Sequence, residues 1–262
     1  MSRWLVTGIP SGVLLVALIV VIAGGTVLVQ RAVRRRFPML AGGDHNDVTK
    51  FTYGFIGFLY AFFIGFVVSS MWGQVSTADA SARAEGATGV QMARNLAVFP
   101  SPDADRIREA LLVYEREAID EWSRVDDLPS TAADGALADV YTAYRDVRAE
   151  TDLQKSVLAT SLGNLAEISK ARTVRLLTAD EDNGLPWPIW AVIFLTSAMV
   201  LGTVVIYGVE KPGMHYPMVT IVSTVVATNL FLILELAHPF VGTISTSADP
   251  LREVVRVLSG TP

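Results

Sequence analysis

The chain has 262 residues, of which 51% are hydrophobic, and its mean hydropathy is +0.42. Soluble domains of this length are less apolar, so the composition predicts a membrane protein. The formal net charge is −5, which gives no case for nucleic-acid binding. The chain has no cysteine, which excludes disulfides and thiolate-bound metals.

Four stretches lack charged side chains for long enough to cross a bilayer, whose ~30 Å hydrocarbon core takes roughly 20 helical residues. The first is too long for a signal-peptide core and is followed by arginines, so it is predicted to be an uncleaved helix. No strand-like alternation occurs anywhere in the sequence. The four uncharged stretches are residues 4–30, 51–78, 183–209 and 212–234.

These stretches predict an all-α membrane protein with four transmembrane helices and a helical soluble insertion between the second and the third. Most acidic residues lie in the insertion, and its apolar residues recur at helical spacing. Ser101, Pro102 and Asp103 are typical of a helix N-terminus. The predicted organisation is a first transmembrane hairpin in 1–72 (helices about 4–30 and 51–72), a helical soluble domain in 73–182, a second hairpin in 183–240 (helices about 187–208 and 216–237) and a C-terminal tail in 241–262.

The second predicted transmembrane helix carries two stripes at three- and four-residue spacing. The small residues are Gly54, Gly57, Ala61 and Gly65. The aromatic residues are Phe55, Phe58, Phe62 and Phe66. The small stripe allows close packing between helices in lipid. The aromatic stripe forms a hydrophobic constriction if the helix lines a pore, and otherwise faces lipid or neighbouring helices.

Charged residues near the predicted membrane surfaces are candidates for an ion pathway or for structural pairs. They are Arg83, Glu85, Arg172, Arg175, Glu235 and His238. Glu235 lies near the end of the fourth helix, where a carboxylate is costly unless it is paired, functional or in contact with water. Four crossings bring that end to the side of the segment before the third helix, so Arg172 or Arg175 is its predicted partner. Arg83 and Glu85 either form a charged vestibule or are simply solvated or paired.

No sequence motif indicates an enzyme. The chain has no Walker loop, dinucleotide-binding glycine pattern, zinc-protease motif or nucleophile elbow. One short loop contains residue types that can bind metals, namely Asp44, His45, Asn46 and Asp47. They follow two glycines, and such residues are common turn formers in this setting. We therefore expect no catalytic residues, no metal and no cofactor.

Several short motifs follow one another in a characteristic order over about residues 50–255. They are Gly65-Phe66 and Trp72, Glu85, Tyr114, Glu121-Trp122, Arg172, Arg175-Leu176, Leu185-Pro186 before Trp190, Glu235, His238-Pro239-Phe240, Gly242 and Ile244-Ser245. This ordered set resembles the bestrophin-like membrane proteins.

The resemblance implies four transmembrane helices around a helical insertion. By analogy with true bestrophins it also implies a ring-shaped homo-oligomer, such as a pentamer, that conducts anions through a pore lined by the second helix. Two features depart from true bestrophins. No acidic cluster suggests a calcium clasp, and the arginine distribution places the helical domain outside the cytoplasm, whereas true bestrophins keep it inside.

The basic residues that suggest this orientation lie in two short loops on the same side of the membrane. The positive-inside rule places them in the cytoplasm and the helical domain on the extracytoplasmic side. Their basic residues are Arg31, Arg34, Arg35, Arg36, Lys50 and Lys211. Basic residues near the opposite face are Arg172, Arg175, Arg252 and Arg256, and they count against this orientation.

We therefore predict an oligomeric, bestrophin-like ion channel of the cell (plasma) membrane, anion-selective if the analogy holds. Its expected partners are the lipid bilayer, further copies of the chain, and ions. The alternative is a non-conducting membrane scaffold or accessory protein whose helical domain binds a partner.

Overall fold

The computed structural model describes residues 2–38, 46–123, 130–180, 185–207 and 212–260. Throughout these ranges all regular secondary structure is helical, which confirms the predicted all-α class. The helices are α1 (Ser2–Gly8), α2 (Ser11–Arg36), α3 (Asn46–Asn95), α4 (Ser101–Ser123), α5 (Thr131–Arg145), α6 (Asp152–Asp180), α7 (Trp187–Ile206), α8 (Pro212–Leu236) and α9 (Asp249–Leu258), with a 3₁₀ turn at Leu96–Val98.

Four of these helices (α2, α3, α7 and α8) are long and apolar enough to cross a membrane, as predicted. The first span differs from the prediction at both ends. Pro10 has an extended backbone and separates α1 from α2, because proline cannot continue the preceding helix. At the other end α2 continues past Gln30 to Arg36, since arginine is a good helix former.

The chain divides into two compact units. The membrane unit consists of residues 1–74 and 184–245, and the helical unit of residues 75–183 and 246–262. Helix α3 contributes its first part to the membrane unit and its last part, from Val75, to the helical unit. The segment predicted as a C-terminal tail is shared between the two, and it ends in helix α9.

In the membrane unit, α8 packs against both α2 and α7. The short helix α1 contacts α2 and α8 through a small apolar cluster that includes Val6, Leu14 and Leu234. These contacts hold three of the four spans together and fix the chain that follows α8.

In the helical unit, α4 lies between α5 and α9 and forms the centre of an apolar core. Helix α9 is strongly amphipathic and buries Leu251, Val254 and Leu258, which recur at three- and four-residue spacing. Full burial of each such side chain stabilises the fold by about 1.5–3 kcal/mol. Helix α9 is therefore part of this core.

Candidate functional site

Helix α3 presents the predicted phenylalanine stripe on an uncovered face. The four phenylalanines are 57–70% exposed in the single chain. The buried residues of this part of α3 are Tyr60, Ile64, Val67, Met71 and Val75. At about 100° per residue, the phenylalanine stripe is centred roughly 175° away from this buried face.

The small-residue stripe lies between those two faces, roughly 85° from the buried residues and roughly 100° from the phenylalanines. A Cβ atom added at Gly54, Gly57 or Gly65 would meet nothing within 4 Å. Ala61, in the same stripe, is exposed. The face that is suited to close helix packing is thus left open by the residues of this chain that the structure describes.

Three of the predicted charged residues, Glu85, Arg172 and Arg175, meet in the helical unit. They surround Glu121, to which the sequence analysis assigned no role. Arg172 donates from Nε and Nη2 to the two carboxylate oxygens of Glu121, at 2.9 and 2.7 Å. Its Nη1 donates to Asp134 Oδ1 at 2.6 Å. Arg172 and Glu121 are buried, whereas the Asp134 side chain is half exposed. This two-pronged geometry is the strong form of an arginine–carboxylate pair.

Arg175, one helical turn after Arg172, extends the cluster. Its Nη2 donates to Glu121 Oε2 at 3.4 Å, and its Nη1 lies 3.6 Å from Glu85 Oε2. The guanidinium also stacks 4.6 Å from the centre of the Trp122 ring. Glu85, Arg172 and Arg175 are therefore placed as structural pairs, and Glu85 is paired rather than part of the charged vestibule considered for Arg83 and Glu85.

Glu115 adds a further buried acid near this cluster. The side chain is 1% exposed, and Oε2 accepts no hydrogen bond from any described residue. Burial raises the pKa of Glu115 well above its ordinary value, the charge of Glu85 raises it further, and Arg175 partly opposes the rise. The two arginines already face three carboxylates, those of Glu85, Glu121 and Asp134, so a charged Glu115 would add a further negative charge to the cluster.

Sequence reasoning did not assign a role to Glu121 or Glu115. Glu121 is 51 residues from Arg172, and nothing local to either residue reveals the pairing. One local signal was the three-residue spacing of Arg172 and Arg175, which places two cations on one face of α6. Neighbouring cations repel each other, so a shared acidic partner is expected. Arg83 takes no part in the cluster: it is exposed and pairs with Asp79 one turn earlier, at 2.8 Å.

Glu235 is fully buried in the membrane unit, but its partner differs from the prediction. Its Oε2 accepts a hydrogen bond from the backbone N–H of Thr243, at 3.0 Å. Since Arg172 and Arg175 bind Glu121, Asp134 and Glu85, the expected arginine–Glu235 pair was wrong. A carboxylate near a helix C-terminus is within reach of the N–H groups of the chain that follows, and this contact was overlooked.

The loop that reaches Glu235 turns back at Gly242, whose φ is +95°. A Cβ at this position would lie 2.6 Å from Val6 Cγ1 and 2.9 Å from Glu235 Oε2. Only glycine accommodates both the backbone conformation and this close approach. The turn begins at His238, which is also buried, so the predicted residues Glu235 and His238 lie in one compact structure after α8.

A second buried polar contact, not predicted from the sequence, joins three membrane helices. Gln30 Nε2 lies 2.9 Å from His215 Nδ1, and His215 Nε2 lies 3.1 Å from the carbonyl oxygen of Val204. A carbonyl only accepts, so Nε2 carries the hydrogen and Nδ1 accepts from the Gln30 amide. The contact links α2, α7 and α8 at their buried faces.

Metal ligands do not cluster in the part of the chain that the structure describes: no group of three His, Asp or Glu side chains is placed to hold an ion. Of the loop weighed as a metal site, Asp44 and His45 lie outside the described residues, as do the side chains of Asn46 and Asp47.

Comparison with known proteins gives one family and one fold. A family model for the bestrophin-like domain matches residues 20–251. A crystal structure of a variant bestrophin homologue from the bacterium Klebsiella pneumoniae is similar at TM-score 0.68 and 14% identity, over 94% of this chain and 99% of that chain. A crystal structure of a membrane protein is similar at TM-score 0.68 and 12% identity, over 94% and 97%. No curated protein matches.

Proposed function

The chain belongs to the bestrophin-like family, and from that premise we propose that it is the subunit of an oligomeric ion channel whose pore is lined by helix α3. The observation that carries the proposal is the arrangement of three faces on α3. One face is buried within the chain, the opposite face carries the phenylalanines, and the small residues lie between them.

A pore-lining helix in a ring of subunits needs these three faces. Its back packs on its own subunit, a flank packs on the neighbouring subunit, and its front faces the axis. The open glycine stripe suits the flank, because small residues let helices approach closely where lipid provides no hydrophobic drive. The phenylalanines suit the front, where a hydrophobic constriction gates by dewetting.

Anion selectivity is the finer part of the proposal. Residues 51–78 contain no Asp or Glu, so this stretch offers no ring of acids of the kind that favours cations. The edges of phenylalanine rings carry positive partial charge and attract anions. Both features favour chloride over potassium. The ring is expected to be a homo-oligomer, with five subunits by analogy with true bestrophins, and no enzymatic activity is expected.

The test combines subunit number with ion flux. Light scattering in mild detergent should give a homo-oligomer, and liposomes containing the protein should pass chloride faster than potassium. Phe62→Ala together with Phe66→Ala should raise the chloride leak, because the constriction becomes wider and wetter. Phe194→Ala, at an exposed phenylalanine of α7, is the matched control and should leave flux unchanged.

A monomeric protein, or an assembled protein without flux of either ion, would contradict the channel proposal. That outcome would favour the alternative, a non-conducting scaffold whose helical unit binds a partner. If flux is unchanged in the double phenylalanine variant, α3 does not line the pore, and the proposal that the protein is a channel still stands.

We further propose that the helical unit faces the extracytoplasmic side of the cell membrane. Arg172 and Arg175, which count against this orientation, belong to a long insertion, and the positive-inside rule applies to loops shorter than about 60 residues. Because the chain has no cysteine, single cysteines at Asp139 and Arg36 are clean reporters. In intact cells an impermeant maleimide should label the first and not the second; the reverse result would invert the orientation.

A further inference from the structure

Helices α3, α4 and α9 meet at one close junction in the helical unit. On α3, a Cβ atom added at Gly86 would lie 2.6 Å from Pro250 Cβ, and one at Gly89 would lie 2.8 Å from Val254 Cγ2. Both contacts are with α9, which comes this close because the two glycines carry no side chain. From α4, Glu115 Oε1 lies 3.0 Å from the same Cβ position at Gly89. The carboxyl group of Glu115 therefore lies where the three helices meet.

Helix α9 offers this carboxyl group no charge. It faces the junction with the apolar side chain of Val254. Its charged side chains are exposed and pair along the helix, Asp249 with Arg252 and Glu253 with Arg256. Glu115 itself is 1% exposed, and its Oε2 accepts no hydrogen bond from any residue that the structure describes.

The other charged groups of the buried cluster are already paired with one another. They are Glu85 on α3, Glu121 on α4, Asp134 on α5, and Arg172 and Arg175 on α6. Next to Glu115 on α4, Tyr114 is a buried phenol and supplies no positive charge. Because two arginines face three carboxylates, an ionised Glu115 would be a further negative charge without a cation of its own.

Ionisation of Glu115 therefore requires water at the junction. Burial raises the pKa of Glu115 well above its ordinary value, the charge of Glu85 raises it further, and Arg175 partly opposes the rise. Above that pKa the side chain is a buried anion, which is far more costly than the neutral acid unless water reaches it. Among the helices at the junction, α9 is the shortest, with 10 residues, whereas α4 is the centre of the core. The helix that can move aside is α9.

We propose that the docking of α9 is controlled by one proton: α9 packs on α3 and α4 while Glu115 is neutral and separates from them when Glu115 ionises. Separation lets water reach the carboxylate and keeps the buried ion pairs intact, because none of them involves α9. Isolated helices shorter than about 12 residues are marginal in water, so a separated α9 loses its helical hydrogen bonds. The proposal does not depend on channel function.

Amide hydrogen exchange of the full-length protein in detergent, measured by mass spectrometry between about pH 5 and about pH 9, tests the proposal. The exchange rates are first corrected for the intrinsic effect of pH. The opening constant of α9 should then rise about tenfold per pH unit between the ordinary value of 4.5 and the folded-state pKa of Glu115, because each opening releases one proton. The amides of α5, in the same unit, should stay protected.

Glu115→Gln should abolish the rise and keep α9 protected, because a neutral amide replaces the neutral acid. Glu109→Gln, at an exposed position of α4, is the matched control and should follow the wild type. An opening of α9 that does not depend on pH in the wild type, or an unchanged rise in Glu115→Gln, would overturn the proposal. Loss of protection in α5 at the same pH as in α9 would also overturn it, since the whole helical unit would then unfold. If Glu115→Gln does not fold, the wild type decides through this comparison of α9 with α5.

Discussion

The two halves of helix α3 use their glycines in opposite ways. In the membrane unit, the positions of Gly54, Gly57 and Gly65 face open space. In the helical unit, a Cβ at Gly86 would lie 2.6 Å from the Cβ and carbonyl oxygen of Pro250, and one at Gly89 would lie 2.8 Å from Val254 Cγ2. The space beside the later glycines is therefore already filled by α9, whereas the space beside the earlier glycines is open to a partner helix.

The buried charges show a parallel difference. In the helical unit, Glu121 is bound by two arginines of the same chain. In the membrane unit, Glu235 is held by one backbone N–H. In the helical unit these close contacts are made within one chain, whereas the small-residue face of α3 in the membrane unit is left open by the described residues, as the proposed oligomer requires. Mutations in the first region should unfold the chain, and mutations in the second should change assembly.

The largest effect is expected for Arg172→Gln. Removing this guanidinium leaves buried Glu121 with the longer contact to Arg175, at 3.4 Å, and the backbone N–H of Ser130, and breaking such a buried pair costs roughly 3–5 kcal/mol. Arg108→Gln, which breaks an exposed pair with Asp105, is the control and should cost about 1 kcal/mol or less. Denaturant unfolding of the full-length protein in detergent measures both. Equal losses for the two variants would refute the idea that the buried cluster stabilises the helical unit.

Gly86→Ala, compared with Gly57→Ala, tests whether the two halves of α3 respond differently to an added methyl group. Its methyl group would collide with the backbone of Pro250, and overpacking of this kind costs about 1–3 kcal/mol. The methyl group of Gly57→Ala would meet no atom of the described residues within 4 Å. This variant should leave the free energy of unfolding unchanged or raise it by about 0.5–1 kcal/mol through helix propensity. Enlarging Gly57 and Ala61 to leucine should then lower the subunit number without unfolding the chain. Unfolding of the leucine variant would contradict the proposed division.

Glu115→Gln should make the helical unit less sensitive to pH. Because the folded-state pKa of Glu115 is raised, its favourable contribution is complete below the ordinary value of 4.5 and is lost as the pH rises through the folded-state pKa. The free energy of unfolding of the wild type should therefore fall over that window, and the variant should lack this part of the decline. Glu109→Gln, at an exposed position of α4, should keep the wild-type profile, and a shared profile for all three proteins would argue against a raised pKa of Glu115.

The smallest effect is expected for Glu235→Gln. The amide oxygen of glutamine still accepts from the Thr243 N–H, so the loss should be about 1 kcal/mol or less. Glu235→Ala removes the acceptor and should cost more, about 1–3 kcal/mol, which thermal unfolding in detergent resolves. A loss for Glu235→Gln as large as that for Arg172→Gln would indicate that the assembled protein supplies Glu235 with a cationic partner.

Local patterns in the sequence predicted the elements well. Runs without charge identified the four spans, and Ser101-Pro102-Asp103 marked the start of α4, because hydropathy and helix capping depend on neighbouring residues alone. The break at Pro10 is also a local signal, but the apolar run continues across it, so hydropathy alone predicts one uninterrupted helix. The ordered motifs indicated the family, which the family model confirmed.

The sequence alone thus determined the helical class, the number of spans and the family, since each rests on short-range periodicity or on motif order. Tertiary structure decided which charges meet. Glu121 pairs with Arg172, which is 51 residues further along the chain, and Glu235 takes a backbone N–H rather than the arginine expected. The reason is that a buried ion pair depends on where two distant helices are brought together, and a carboxylate carries no local mark of its partner.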